Sequence, residues 1–346
     1  MVQPMRLAGA LVFVAACGLI ACGRSAEVVD APRPGDGGAA VPGGRFRACT
    51  ERAYTPAPAQ AWRHTRSSVV VASGGPNHAA QDQIESTLAV TLHGKFSYGS
   101  VGKDLEDELV RVSIDDCAEW RALGDFATDD DGRVAVPAPA DLFTSPGVHE
   151  VRYQVLGDGS TTTSYVWVLP RGTRIALTDI DGTMTRSDAE LFQQILDGSH
   201  VPVAYPGAVD LMTAHAASGH VVFYLTGRPY WLMQRSRDWL RELAFARGPL
   251  HVTDSNREAV PSESGVGAFK RDYIAALLAS GYVIDAAYGN ASTDVYAYLG
   301  AGLPADAVWI IGQHAGAQGT SGAADSWTAR AAEVAALPPV TQPFSW

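Results

Sequence analysis

Asp179 and Asp181 flank Ile180 in the run Asp179-Ile180-Asp181-Gly182-Thr183, which Thr178 separates from the apolar stretch Ile175-Ala176-Leu177. On a strand, residues two apart point to the same side. The spacing therefore aims both carboxylates into one small volume, where like charges repel. Such a pair persists most easily with a cation or a shared proton between its members. Magnesium-dependent phosphoryl transfer through an aspartyl-phosphate needs that arrangement. An acidic turn closing a strand has the same spacing, so the pair alone does not decide between the two. Gly182 and Thr183 let the backbone turn sharply after it.

The elements that must position this pair follow an alternating pattern after Pro170. Strand-like runs are Ile175–Asp179, Val221–Leu225, Leu250–Val252, Ile284–Tyr288 and Val308–Ile311. Between them, helical periodicity covers Ala189–Leu196, Ala208–Ser218, Trp231–Arg247, Phe269–Ala279 and a helix through Val295–Leu299. The alternation predicts an open α/β sheet with about five parallel strands. Ligands of such sheets bind beyond the carboxyl ends of the strands. Other polar groups fall at those ends: Thr226-Gly227-Arg228-Pro229, Gly289-Asn290 with Asp294 four residues on, and Lys270 at a helix start. Five sites on one rim favour chemistry over a plain turn.

Before Pro170 the chain reads as all-β. Val69–Val71, Leu88–Leu92, Leu109–Ile114, Val134–Val136, Val148–Leu156 and Tyr165–Leu169 are short apolar or alternating runs. Asp131-Gly132, Pro146-Gly147 and Gly157-Asp158-Gly159 separate several of them as turns. This spacing predicts an immunoglobulin-like sandwich. Asp129-Asp130-Asp131-Gly132 hints at calcium but lacks the later bidentate Glu of a calcium loop, so it is read as a hairpin turn. His78 and His93 receive no role.

The motifs Asp179–Thr183, Thr226–Pro229, Gly265–Lys270 and Gly289–Tyr296 together resemble those of the haloacid dehalogenase superfamily. More narrowly they resemble the lipin-type phosphatidate phosphatase domain, which also ends retinal-degeneration-B-type phosphatidylinositol transfer proteins. Thr185-Arg186-Ser187-Asp188 and Asp294–Tyr298 extend the likeness, which covers roughly residues 171 to 315. The resemblance implies a Rossmann-like domain without a large cap, hydrolysing phosphatidate to diacylglycerol and phosphate with Mg2+. It makes Asp179 the nucleophile and Asp181 the acid and base. Magnesium would take Asp179, the backbone carbonyl of Asp181 and Asn290, with Asp294 as a ligand or a partner behind the ligands. Gly182, Thr183, Thr226, Gly227 and Lys270 would surround the phosphoryl group, with Thr226 and Lys270 taking part in catalysis. For Arg228, contact with phosphate or headgroup and a structural ion pair both stand. In the transfer proteins the domain senses phosphatidate and the first motif departs from the catalytic pattern, so a binding module is the alternative function. A phosphatase for another phosphomonoester is a third.

The chain has 346 residues, 47% hydrophobic and 18% charged, which accommodates about two domains. Its net charge of -11 argues against general nucleic-acid binding. Lysine occurs only as Lys95, Lys103 and Lys270, against many arginines. A lone late lysine at a motif suggests that a compact ammonium is wanted there.

Arg6 precedes the apolar run Leu7–Ile20, too short to span a membrane and suited to a signal-peptide core. Leu19-Ile20-Ala21-Cys22 resembles a bacterial lipoprotein box. The expected organisation is a leader over 1–21, a tether over 22–45, a β-sandwich over 46–170 and a catalytic domain over 171–346. Lipidation at Cys22 would make the protein an exported lipoprotein facing a phospholipid substrate at a membrane surface. Cys49 and Cys117 remain after the leader, either as a disulfide or as two free thiols.

Overall fold

The computed structural model describes residues 47–48, 52–87, 89–99, 102–143, 145–190, 200–255, 257–341 and 343. The leader, the tether, Cys22 and Cys49 lie outside the described residues. Cys117 is disulfide-bonded.

Ten strands build the first unit: β1 Arg47–Ala48, β2 Gln83–Glu85, β3 Thr91–Lys95, β4 Ser97–Tyr98, β5 Lys103–Asp104, β6 Leu109–Asp115, β7 Trp120–Ala127, β8 Arg133–Pro137, β9 Gly147–Val155 and β10 Thr161–Val168. The main sheet runs β2-β10-β9-β6-β7, with β1 beside β9, while β3 pairs with β8. Alternation sends Leu92, Val134 and Val136 from the small pair into one core with Val110, Val112, Val151, Tyr153 and Val166 from the large sheet. The result is the expected β-sandwich. Asp129 Oδ1 accepts the amides of Asp131 and Arg133 at 2.9 and 2.8 Å, so the acidic run is a turn, but it passes from β7 in one sheet to β8 in the other and is not the expected hairpin.

Two readings of this region need correction. Val69–Val71 is not a strand but the end of helix α1, Thr65–Val71. The carboxylate of Glu108 accepts the amides of Arg63 and His64 and the Ser67 hydroxyl. A distant acid thus caps the helix start, which outweighs the β preference of three valines. Strand β7 has no counterpart in the sequence reading. It is an edge strand whose side chains are half-buried or exposed, so no apolar alternation marks it.

The second unit contains β11 Arg174–Thr178, α2 Ala208–Ala217, β12 Val221–Pro229, α3 Met233–Glu242, β13 Leu250–Thr253, α4 Ala268–Ala279, β14 Val283–Gly289, α5 Ser292–Gly300, β15 Val308–Ile311, β16 Ser321–Ala323 and α6 Thr328–Ala335. The sheet order is β13-β12-β11-β14-β15-β16. Every neighbouring pair is parallel. A sixth strand, β16, extends the sheet beyond the expected five. Central strands read as unbroken apolar runs because both faces are buried. The chain moves outward from β11 through β12 to β13, then crosses back to β14. The carboxyl ends of β11 and β14 therefore form a topological switch point, where a crevice opens.

The expected helix Ala189–Leu196 falls largely on residues outside the described set. The long helix expected over Trp231–Arg247 stops at Glu242. Ala244 adopts a left-handed conformation at φ 56°, and Phe245 folds back onto Trp239 at a centroid distance of 5.0 Å.

The sandwich covers the open edge of the parallel sheet. Gln81 donates to the Val252 carbonyl at 2.8 Å and accepts the Val252 amide at 3.2 Å, imitating a neighbouring strand. Asp82 accepts two bonds from Arg237, both 3.0 Å, and the amides of Tyr165 and Leu250. Asp82 is 1% exposed, so its loss strands a largely desolvated guanidinium and two amides. Asp82→Ala is expected to destabilise the protein by roughly 3–5 kcal/mol, read as a lower urea midpoint. A midpoint equal to the native one would show that the clamp contributes little.

Candidate phosphoryl-transfer site

The turn after β11 is fixed by its own backbone. Asp179 N–H continues the sheet by donating to the Tyr288 carbonyl at 3.0 Å. The Ile180 carbonyl accepts the amides of Thr183, Met184 and Thr185 at 3.3, 2.8 and 2.9 Å. Gly182 N–H donates to Thr185 Oγ1 at 2.9 Å. Gly182 has φ 68°, and a Cβ there would collide with Asn290 Nδ2 and lie 2.5 Å from Asp188 Oδ1. Glycine is therefore required twice, by conformation and by space.

Each of the two carboxylates faces its own protein cation. Asp179 Oδ1 lies 2.9 Å from Lys270 Nζ. Asp181 is held by Arg228 in a two-point pair, Nε to Oδ2 at 2.8 Å and Nη2 to Oδ1 at 2.7 Å. Arg228 is fully buried and also donates to Ser236 Oγ at 3.0 Å. Of the two roles open for Arg228, the structure shows the ion pair. Each aspartate thus has its own protein cation, Lys270 for Asp179 and Arg228 for Asp181. A planar guanidinium matches a carboxylate at two points, whereas the ammonium of Lys270 bridges two different acids.

Lys270, in the first turn of α4, is 2% exposed. Besides Asp179 it meets Asp294 Oδ1 at 2.7 Å. Asp294 Oδ2 accepts the amides of Asn290 and Ala291 at 2.9 and 3.1 Å, at the start of α5. Both Asp294 oxygens are thus engaged by the protein, which places this residue behind Lys270. Gly289 lets it pack there, since an added Cβ would come within 2.5 Å of Asp294 Cβ. Burial pushes the Asp179 carboxyl above the ordinary carboxylate range; Lys270 opposes the shift, and Asp294 and Asp181 add to it. Burial also disfavours the Lys270 charge, but Asp179 and Asp294 outweigh it and keep the ammonium protonated.

Thr183 joins the remaining oxygens. Its hydroxyl lies 3.5 Å from Asp179 Oδ2 and 3.2 Å from Asn290 Oδ1. These are hard donors of the kind magnesium takes, with room left for water in its shell. Among the described residues no three His, Cys, Asp or Glu side chains form a metal-binding group. The oxygens brought together here belong to one carboxylate, one hydroxyl and one amide. Such hard donors fit magnesium, as they would calcium or manganese, better than a metal that seeks thiolate or imidazole. Thr226 is fully buried within β12, which runs on past the expected Leu225 to Pro229, and its hydroxyl oxygen lies 3.3 Å from the Arg228 amide. A Cβ on Gly227 would come within 2.9 Å of Val266, which belongs to the π-helical turn Glu263–Gly267 leading into α4.

Two contributors were not assigned roles from sequence. Asp188 accepts from Asn290 Nδ2 at 3.2 Å, and burial raises its carboxyl above the usual range. Trp327 is fully buried and donates its indole N–H to the Thr183 carbonyl at 2.8 Å. Nothing in local sequence ties a tryptophan to a turn so far away in the chain.

Residues 176–312 match the family described as PITM 1-3, LNS2 domain. Residues 76–168 match PITM 1-3, beta-sandwich domain. The chain is 29% identical over 262 residues to protein retinal degeneration B of Drosophila melanogaster, covering 74% of this chain and 20% of that protein. It is also 29% identical over 268 residues to membrane-associated phosphatidylinositol transfer protein 3 of Homo sapiens, covering 75% of this chain and 26% of that protein. With protein 2 of Mus musculus the identity is 31% over 209 residues, 58% of this chain and 15% of that one. The chain thus spans about a quarter or less of these relatives.

Proposed function

We propose that this chain is a magnesium-dependent phosphatidate phosphatase. Phosphate would leave diacylglycerol through an aspartyl-phosphate on Asp179. The observation that carries this reading is the buried Asp179–Lys270–Asp294 chain beside Thr183 and Asn290 at the switch point. Asp179 Oδ2 is the oxygen not facing Lys270, and it is the atom assigned to attack phosphorus. Lys270 would neutralise the phosphoryl oxygens, and Asp294 holds it in place. Thr226 and the amide of Gly227 would bind the same oxygens, while the amides of Gly182 and Thr183 already donate to Thr185 Oγ1 and the Ile180 carbonyl and shape the turn around them. Magnesium, held by Asp179, Asn290 and the Asp181 carbonyl, would withdraw charge from the phosphoryl group. Asp181, once clear of Arg228, would give a proton to the leaving alkoxide and later take one from water.

The choice of a lipid alcohol draws on three supports. Two relatives are named as membrane-associated phosphatidylinositol transfer proteins. Val201, Val203 and Val260, three of the large apolar side chains exposed among the described residues, lie on loops leaving β11 and β13. No described helix is long and apolar enough to cross a membrane, so contact would rest on surface loops and on the expected anchor at Cys22. With that anchor the protein would work as an exported lipoprotein. Purified protein should release phosphate from phosphatidate in mixed micelles with magnesium, and lose that activity with EDTA. Lysophosphatidate and sugar phosphates in the same assay decide the leaving alcohol. Faster turnover of a sugar phosphate would move the assignment to a soluble substrate.

A second reading, a phosphatidate-binding module without turnover, is favoured by the Arg228 pair, which occupies both oxygens of Asp181. Binding to phosphatidate vesicles without phosphate release, unchanged in Asp181→Asn, would select it.

A further inference from the structure

Trp327 lies past the end of the matched domain at residue 312, in the turn before α6. It is nonetheless in contact with the heart of the site. Its indole N–H donates to the Thr183 carbonyl at 2.8 Å, and Thr183 carries the hydroxyl that lies between Asp179 and Asn290. Its ring meets the Tyr288 ring edge-on at 5.2 Å. Tyr288 in turn supplies the carbonyl that receives the Asp179 amide. Three residues on, Arg330 donates to the Tyr288 hydroxyl at 3.3 Å. The segment is itself anchored, since Trp327 N–H donates to the Pro206 carbonyl at 2.9 Å. Gly207 permits the approach: a Cβ there would sit 2.5 Å from the Thr328 nitrogen.

A buried tryptophan needs a partner for its N–H, and many backbone carbonyls could serve. Here the partner is the residue whose side chain links the proposed nucleophile to a proposed magnesium donor. We propose that Trp327 is a positioning residue for the phosphoryl site. The C-terminal segment from Trp327 to Arg330 then works as a brace holding the Asp179–Thr183 turn against β14. This rests on the phosphatase reading for its catalytic consequence, but not for its structural one.

The test uses the full chain with Trp327→Phe, and a second variant carrying 3-benzothienylalanine at this position. The latter keeps the bicyclic shape and lacks the N–H, so it reports on the bond where phenylalanine fails to fold. Removing a group that orients metal ligands typically costs 10–100-fold in metal affinity or activity. With magnesium alone as the probe, Kd is expected to rise about tenfold in a folded variant. With a water-soluble phosphomonoester, kcat should fall by a similar factor while KM stays near native. Hydrogen exchange at the Thr183, Met184 and Thr185 amides should accelerate, while amides in α2 keep native protection. Native exchange at these three amides in the folded benzothienyl variant would overturn the proposal. So would native magnesium affinity. A native protein that neither binds magnesium nor releases phosphate would instead sink the phosphatase reading, and exchange would still decide the brace.

Discussion

Asp179→Asn is expected to reduce phosphate release by roughly 10⁴-fold or more, because it removes the atom proposed to attack phosphorus. An amide nitrogen or a neutral amide oxygen cannot form the aspartyl-phosphate. Lys270 and Asp294 cannot replace it, since an ammonium is no nucleophile here and both Asp294 oxygens are engaged, one by Lys270 and one by the amides of Asn290 and Ala291. The variant should stay folded. Asn is nearly isosteric, and the position already disfavours charge through burial. The sign of the pH effect follows. The folded carboxyl of Asp179 titrates above its unfolded value, so its contribution to stability is complete below about pH 4 and is lost as pH rises through the folded value. In EDTA, the melting temperature of the native protein should therefore fall relative to Asp179→Asn as pH is raised from the acid range toward neutrality. Activity above one-tenth of native in a magnesium-loaded, folded Asp179→Asn sample would remove Asp179 from the nucleophile's role.

Much of the site was legible because the parallel sheet converts sequence order into space. Each strand delivers its last residues to one rim, so Asp179 and Asn290 needed only a correct strand assignment to be placed on either side of the Thr183 hydroxyl. Lys270 was found through its rarity, and the structure places it against Asp179. The pairing of charges was not legible. Strand alternation, as read from the sequence, aims Asp179 and Asp181 the same way, but β11 ends at Thr178, and which cation each aspartate takes depends on where Arg228 and Lys270 arrive from neighbouring elements. Trp327 was invisible for a similar reason, as its bond to Thr183 depends on how α6 packs against α2. Among the fold elements, continuous apolar strands were read well. Edge strand β7 and helix α1 were not, because one lacks an apolar face and the other depends on a cap from Glu108.

Arg228→Ala should cost about 3–5 kcal/mol of stability, measured as a loss in denaturant midpoint, because it leaves a buried carboxylate without its counter-charge. Asp181 has a side chain only 11% exposed, and the guanidinium facing it is 0% exposed. Arg228→Lys should recover only part of this loss. An ammonium can approach one Asp181 oxygen but cannot also reach Ser236 in the same plane, as the guanidinium does at 3.0 Å. The double variant Asp181→Asn/Arg228→Gln should be more stable than Arg228→Ala, since neither member then buries an unpaired charge. Function separates the two readings at the same residue. If Asp181 is an acid and base, the double variant regains stability but not turnover, and the magnesium-dependent release of phosphate stays lost. If the domain only binds lipid, the double variant regains vesicle binding along with its fold. A stable double variant that turns over phosphatidate at the native rate would show that neither member of the pair takes part in the chemistry, and would confine Arg228 to holding the turn after β12 in place.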